Sequence, residues 1–478
     1  MSSVLSPIPE RAARVRFRRA IALMVMTLFV PGSAQLAAGN RRVGRAAFRI
    51  WLALVGLTVL SVLAVLVRRE LVFWLVSNTT LLLALRIGLT AGAVGWAYLF
   101  VDAWRLGQPL SLAMGHRRAV VGVSGLLCLT VAGTMLFGAH IVGVQRDFIV
   151  TMFGDGKVTG AHDGRFNVLL LGGDSGAGRW GLRPDSMTVA SIDAETGRTV
   201  LIGLPRNLAN FPFVPGSVMA EQFPDGFDCD DCYLNGVSTW AQDNPELFKG
   251  SKNPGVDATV MAIEGITELE INYWAMVNLE GFKDLVDAVG GVTLNVRSRI
   301  PVGGLGSDVT GYIEPGTRRL DGFDTLWYAR AREGSDDYSR MARQKCVMNA
   351  MLEQISPQVA VRNFKDIARA STEMISTNLP ASELDRFMAL ALEARGQKVS
   401  TLSLVPPMIN TADPDVDVIW ALVDEAIDRA EGQAPKAQPS TSSKKKKQPA
   451  APSVTGGSLG SLSEGYAAND SEDLGAAC

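Results

Sequence analysis

Three long apolar runs in the first third of the chain, Ala46 to Val67, Leu81 to Trp104 and Ala119 to Gly143, restrict its fold more than any other feature. At 1.5 Å of rise per residue, each is long enough as a helix to cross about 30 Å of hydrocarbon. The reading is three spanning helices. An earlier stretch, Ile21 to Ala38, is shorter and is broken by "PGSAQLAAGN", where proline and glycine free backbone groups that lipid cannot satisfy. This stretch is expected to enter and leave the membrane on one side.

Residues 1 to 146 carry sixteen arginines against three acids, Glu10, Glu70 and Asp102, so the formal charge of -2 averages a basic segment and an acidic remainder. Basic residues near membrane ends stay cytoplasmic. Arg11 to Arg19, then Arg41, Arg42 and Arg45, then Arg105, Arg117 and Arg118 all lie inside only if the first run is re-entrant. That topology is a multi-pass cell-membrane protein with everything after Gly143 exported, and Arg68 and Arg69 as outward-facing exceptions. The basic leader feeds the helices without a small-residue cleavage site, so no cleaved signal peptide is expected.

The expected organisation is a membrane region over 1–145, a connector over 146–164, a folded domain over 165–431 and a disordered tail over 432–478. The tail is rich in Ala, Pro, Ser, Gly and Lys, with few apolar anchors. Within the folded domain, "FNVLLLGGDSG", "SMTVASID" and "RTVLIGLPRN" read as strands, "VDATVMAIEGITEL" has helical spacing, and "YWAMVNLEGF" and "GGVTLNV" read as strands around the helix "FKDLVDAV". Alternation of this kind indicates an α/β fold, a sheet covered by helices. "CDDC" could be a redox motif, half a zinc site or a local disulfide. Zinc would need two further ligands, and His162 is the only histidine beyond the membrane region. In an exported domain a Cys229–Cys232 disulfide is the default, with Cys346 as a competing partner.

"YARAREGSDDYSRMARQK", Tyr328 to Lys345, is dense in guanidiniums. A helix beginning after an N-cap at Ser335 or Asp336 would put Asp337, Arg340 and Gln344 on one face, at i, i+3 and i+7. If "LWYARA" is a strand, Arg330 and Arg332 point to one side. These forks could converge on one anion, or form a surface ion-pair lattice among Arg332, Glu333, Asp336 and Arg340. A second cluster, Asp174, Arg183, Asp185 and Arg206, falls at strand ends or loops. Two carboxylates among several arginines suit a divalent cation bound between protein and phosphate.

"NVLLLGGDS", "LRPDSMTVASID", "IGLPRN", "LEGFKDLVDAVGGVTLNV", "GTRRLDGFDTLWYARAR" and "DDYSRMARQK" occur in this order, and together resemble the LytR-CpsA-Psr family of cell-envelope phosphotransferases. The resemblance covers roughly residues 165 to 355 well and extends weakly to 430. It implies an α-β-α catalytic domain, a central mixed sheet flanked by helices, with an apolar groove for a lipid. It implies transfer of a glycan phosphate from a polyprenyl-pyrophosphate-linked glycan to a peptidoglycan acceptor, with Mg²⁺ or Mn²⁺ on the pyrophosphate. By motif, Asp174 and Asp185 resemble the metal ligands. Arg183, Arg206, Arg330 and Arg332 resemble the pyrophosphate-binding arginines, and Asp185, Asp337, Arg340 and Gln344 the catalytic positions, while Arg343 is the structural candidate.

Two departures stand out: Asn207 replaces the family's usual aspartate after "PR", and the spacing from Arg332 to Asp337 is short. The Ala, Gly, Val and Arg bias resembles actinobacterial chains and implies arabinogalactan as donor glycan, with wall teichoic acid or capsule as alternatives. Hydrolysis of the same donor is the first rival reading. A membrane-bound transcription regulator is another, but the basic cytoplasmic segments are short and carry no helix-turn-helix pattern, so no nucleic acid partner is expected. The insert Phe223 to Phe248 is longer than a simple connection and is read as a rim beside the site. For Trp240, Trp274 and Trp327, packing is the default over sugar stacking.

Overall fold

The computed structural model describes residues 8–67, 70–153, 156–174, 183–304, 308–333, 335–354, 375–394, 397–432 and 478. The chain divides into two compact units, Met1–Val150 and Thr151–Cys478. The sequence expected to be a disordered tail, 432–478, lies outside the described residues except at its two ends.

The first unit is helical: α1 (Ile8–Phe29), α2 (Ser33–Ala38), α3 (Arg41–Val67), α4 (Glu70–Ser77), α5 (Thr79–Leu106) and α6 (Met114–Met152). α3, α5 and α6 contain stretches long and apolar enough to cross a membrane, and these are hardly buried within the protein. Leu57, Leu60 and Leu63 of α3 stand exposed. Such a surface is costly in water and at home in lipid, consistent with a membrane protein. Between α1 and α2 the chain reverses at Gly32, whose φ of +89° favours glycine, and a Cβ there would lie 2.6 Å from the Gly44 carbonyl oxygen on α3. Gln35 on α2 is fully buried and donates through Nε2 to the Leu99 carbonyl at 3.0 Å, tying α2 to α5.

The second unit contains β1 (Arg165–Asp174), β2 (Arg183–Asp193), β3 (Thr199–Leu204), α7 (Val218–Gln222), α8 (Val237–Asp243), α9 (Pro254–Thr267), β4 (Tyr273–Asn278), α10 (Leu279–Ala288) and β5 (Val292–Val296). There follow β6 (Ile300–Gly303), β7 (Val309–Ile313), β8 (Gly316–Leu320), α11 (Gly322–Arg330), α12 (Asp337–Gln354), β9 (Ile375–Thr377), α13 (Leu384–Ala394), β10 (Ser400–Ser403) and α14 (Val416–Glu431).

The central sheet runs β10-β3-β2-β1-β4-β9. It is mixed: β1 is antiparallel to β2 and parallel to β4, and β3 is antiparallel to β2 and parallel to β10. Alternation along the strands separates two faces. Leu169, Leu171, Val189, Val200 and Ile202 pack with Val256, Ile263 and Ile266 of α9 and Ile419 and Val423 of α14. On the other face, Ala190 and Leu201 meet Met348 of α12, and Phe166 and Tyr273 meet Leu390 of α13. The result is the expected α-β-α layering.

β5 pairs with β8 and β6 with β7 in two small antiparallel sheets apart from the central one. Their residues join Tyr328 of α11 and Val347 of α12 in a second core. Here the structure corrects one expectation. "LWYARA" is the end of a helix and not a strand: Asp321 caps α11 by accepting the Asp324 N–H at 2.8 Å, and the helix runs to Arg330. Arg330 and Arg332 therefore do not project from alternate positions of a strand.

Candidate active site

The site begins at an irregularity between β1 and β2. Gly172 opposes Ser186 and Gly173 opposes Pro184, so Asp185 is an extra residue without a partner in the ladder. A bulge of this kind bends its strand and re-aims a side chain. Gly172 permits the close approach, since a Cβ there would lie 3.1 Å from that of Ser186. Asp174 closes β1 directly opposite Arg183, but its side chain and residues 175–182 lie outside the described part.

Asp185 receives Nη1 of Arg206 at 2.8 Å, and Arg206, in the loop after β3, also donates through Nε to Asp337 Oδ1 at 3.1 Å. Arg340 holds Asp337 with two contacts, Nε to Oδ1 at 3.2 Å and Nη2 to Oδ2 at 2.8 Å, and donates through Nη1 to the Asp185 backbone carbonyl at 2.8 Å. Arg332 Nη1 stands 3.8 Å from Asp337 Oδ1. Three guanidiniums thus face two carboxylates, leaving one positive charge in excess.

The helix geometry is local in origin. Asp336 is the N-cap of α12, its Oδ1 accepting the N–H groups of Tyr338 at 2.8 Å and Ser339 at 3.0 Å. This places Asp337 at the positive end of the helix dipole and Arg340 one turn on. The ion-pair lattice is accordingly built on Asp337, with Asp336 occupied in capping.

Burial pushes the Asp185 carboxyl up, but the Arg206 hydrogen bond and the Arg206 and Arg340 charges outweigh it, and its pKa lies below the usual range. Asp337 behaves alike: burial raises it, and Arg340, Arg206 and Arg332 bring it below the ordinary value. Burial lowers Arg206, and the two carboxylates more than restore it, so its pKa is raised. Arg332 is lowered, by burial and then by Arg206 and Arg340. Its Nε is buried without an acceptor.

Arg343 is 1% exposed and lies apart from the carboxylates. It donates through Nε to the Tyr328 carbonyl at 2.7 Å and through Nη2 to that of Ala331, satisfying backbone acceptors at the end of α11. Burial brings its pKa down to about 10. Gln344 accepts from the Ser186 hydroxyl at 3.1 Å and donates to the Ala329 carbonyl at 3.2 Å, linking β2, α11 and α12.

The lattice therefore unites Asp185, Arg206, Arg332, Asp337 and Arg340, with Gln344 alongside. Two expected members do not join it. Arg183, at the start of β2, is exposed and makes no ion pair with a described residue. Arg330 lies over the Trp327 ring, 5.0 Å from its centroid, because α11 carries the two residues at i and i+3.

Two polar neighbours escaped the motif reading. Ser186 follows Asp185 directly and could have been found from that adjacency. Asn235 sits on a 3-10 turn, Leu234–Gly236, its N–H donating to the Arg206 carbonyl at 3.1 Å and its Nδ2 approaching Asp185 Oδ1 at 3.5 Å. No spacing in the sequence signals that contact. Asn235 belongs to the long insert, whose Phe223 and Trp240 rings pack at 5.0 Å, so Trp240 is a core residue; Trp274 is also buried.

A small cavity of about 40 Å³ lies between sheet and α12, lined by Asp185, Gln344 and Lys345 and by Thr188, Leu201, Met341 and Met348. Cys229 and Cys232 are bonded, as expected; Cys346 is not their competitor but pairs with Cys478.

The LytR_cpsA_psr family model matches residues 143–421. Biofilm regulatory protein A of Streptococcus mutans is 26% identical over 268 residues, covering 54% of this chain and 61% of that protein, so the chain spans less than two thirds of this relative. The polyisoprenyl-teichoic acid–peptidoglycan teichoic acid transferase TagU of Oceanobacillus iheyensis is 26% identical over 274 residues, 56% of this chain and 74% of that one. The crystal structure of Bacillus subtilis TagV aligns with a TM-score of 0.41 at 23% identity, covering 57% of this chain and all of that chain. With more than half of its length matched by the family model, and motif residues from β2, the loop after β3 and α12 joined in one charged lattice, this chain is a member of the LytR-CpsA-Psr family.

Proposed function

We propose that this protein transfers a glycan phosphate from a polyprenyl-pyrophosphate-linked glycopolymer to peptidoglycan. The observation that carries the reading is the juxtaposition of the arginine–carboxylate lattice with a cavity whose apolar wall is Leu201, Leu204, Met341 and Met348: Asp185 belongs to both, and Gln344 lines the cavity beside the lattice. A lipid-borne diphosphate has that polarity, a charged head on an apolar chain. Family membership and the transferase activity for which relatives such as TagU are named support the same class of reaction. Arabinogalactan is the donor glycan suggested by the composition, with wall teichoic acid or capsule as alternatives.

A divalent cation fits the one described carboxylate of the pair: among the described residues Asp185 has only its Oδ1 engaged, by Arg206 and Asn235, which leaves Oδ2 for an ion. Asp174 and Asp185 would hold Mg²⁺, or Mn²⁺ in its place. Such an ion would supply neutralisation of phosphate charge.

The chain's own residues position and discharge the diphosphate. Arg206, Arg332 and Arg340 exchange carboxylate contacts for phosphate oxygens, and Arg330 and Arg183 flank the lattice with unspent charge. The acceptor hydroxyl oxygen bonds to the sugar-proximal phosphorus as the bond from that phosphorus to the bridging oxygen breaks, and polyprenyl monophosphate leaves. The hydroxyl proton passes to a carboxylate, Asp185 or Asp337. Both are poor bases while paired with arginine, and a phosphate that draws the guanidiniums away raises their proton affinity. Catalysis in this scheme is charge stabilisation by groups fixed beforehand.

The membrane helices would tether the exported domain beside a lipid donor in a multi-pass, outward-facing arrangement. The test is product analysis by mass spectrometry: full-length protein in detergent with a polyprenyl-diphosphate-linked oligosaccharide, peptidoglycan oligomers and Mg²⁺. A phosphodiester-linked conjugate is expected. Free glycan phosphate in equal yield with and without acceptor would assign hydrolysis instead, and no turnover under either condition would sink the proposal.

A further inference from the structure

One face of α11 carries an arrangement that phosphate chemistry does not use. Phe323, Trp327 and Arg330 stand at i, i+4 and i+7, and so share a side of the helix. Phe323 is 48% exposed, its ring centroid 6.4 Å from that of Trp327 in an edge-on pair, and the Arg330 guanidinium lies over Trp327. The buried face of α11 is made by Gly322, Thr325 and Tyr328, and Trp327 packs partly against the second core as expected, which leaves Phe323 as the exposed ring of the pair. Single exposed apolar residues are ordinary. A pair of contacting rings leading into a cation with no carboxylate partner among the described residues is a different feature.

The end of α11 that carries Arg330 is held against α12 beside the lattice, where Gln344 donates to the Ala329 carbonyl at 3.2 Å. Arg330 ends the strip, and Arg332, two residues on, stands beside Asp337. At 1.5 Å per residue, Phe323 lies about 10 Å along the helix from Arg330. Asp324, next to Phe323, presents a carboxylate with no side-chain partner among the described residues. Aromatic faces carry negative potential and attract positively polarised edges. A pyranose ring offers a face of C–H groups for such contact and hydroxyls for a carboxylate to accept.

We propose that Phe323 and Trp327 form a sugar-binding subsite for the donor glycan, which continues from the phosphate held at the lattice outward along α11. This rests on the phosphotransfer reading above and adds where the glycan lies. The occupant is the donor's sugar and not the acceptor's, because the strip starts from the end of α11 that Gln344 of the site holds through the Ala329 carbonyl.

The experiment measures binding of two lipids to the full-length protein in detergent micelles: polyprenyl diphosphate carrying an oligosaccharide, and polyprenyl diphosphate without sugar. Phe323→Ala is expected to weaken the glycan-bearing lipid roughly three- to tenfold, the scale of one aromatic contact. Binding of the sugar-free lipid should be unchanged, which also shows that the variant is folded, and Phe323→Tyr should restore affinity. An equal loss for both lipids, or no loss for either, overturns the subsite while leaving the parent reading intact. Unchanged donor binding with a raised KM for peptidoglycan oligomers also overturns it, since the strip would then hold the acceptor. Failure of the wild type to bind either lipid removes the phosphotransfer reading itself, and the subsite with it.

Discussion

Arg206 and Asp337 are 131 residues apart in the chain and meet at 3.1 Å, a contact that joins the loop after β3 to the first turn of α12. Arg206 also carries Asp185 on its other nitrogen. One guanidinium thus bridges both candidate base residues.

Arg206→Ala should therefore remove the proposed phosphate contact and free the Asp185 carboxylate, while Arg340 still holds Asp337. Loss of one preorganised charge-stabilising donor costs on the order of 100-fold in kcat. Steady-state transfer assays with a check on Tm would measure it, and a change below a few fold would mean that Arg206 serves structure only.

The lattice also predicts an acid limb to stability. The Asp185 and Asp337 carboxyls lie below their ordinary pKa in the folded protein. The unfolded chain then binds more protons, so their contribution is present above the unfolded value of about 4 and is lost as pH falls through the folded values. Thermal unfolding followed from about pH 5 downward should drop more steeply for wild type than for Asp337→Asn. Parallel curves would show that the pairs contribute nothing to folding.

Arg343 should separate from Arg340 by phenotype. Truncating Arg343 leaves the Tyr328 and Ala331 carbonyls buried without a donor, at about 1–3 kcal/mol for each unsatisfied group. Arg343→Met should lower Tm well before it alters kcat of the folded fraction. Arg340→Met should do the reverse in severity, with activity lost at a Tm where the protein is still folded.

The two disulfides should differ in weight. Cys346 and Cys478 are separated by 132 positions and Cys229 and Cys232 by 3. Loop-closure entropy makes the long connection worth up to about 5 kcal/mol and the short one about 1–2 kcal/mol. Denaturant unfolding of Cys478→Ser and Cys229→Ser checks the order. A larger loss for Cys229→Ser would mean that the short bridge acts through the insert that carries Asn235.

The layered fold and the lattice's main residues were legible because they depend on local signals: alternating strands, an Asp336 cap, and an i, i+3 pair in Asp337 and Arg340. α11 was misread because Phe, Thr, Trp and Tyr favour strands, and a run as short as the six residues "LWYARA" fits either period. The Asp321 cap and the packing of Tyr328 into the second core decided for helix. Asn235 and Cys478 were not legible, since each acts across a separation that only the folded chain closes.

The bulge at Asp185 has a consequence for tolerance to change. A carboxylate carried on an extra residue is in register only while that residue remains extra. A one-residue deletion on β2 next to Asp185 would restore a regular ladder and rotate Asp185 to the opposite face of the sheet, abolishing activity without touching a single charge.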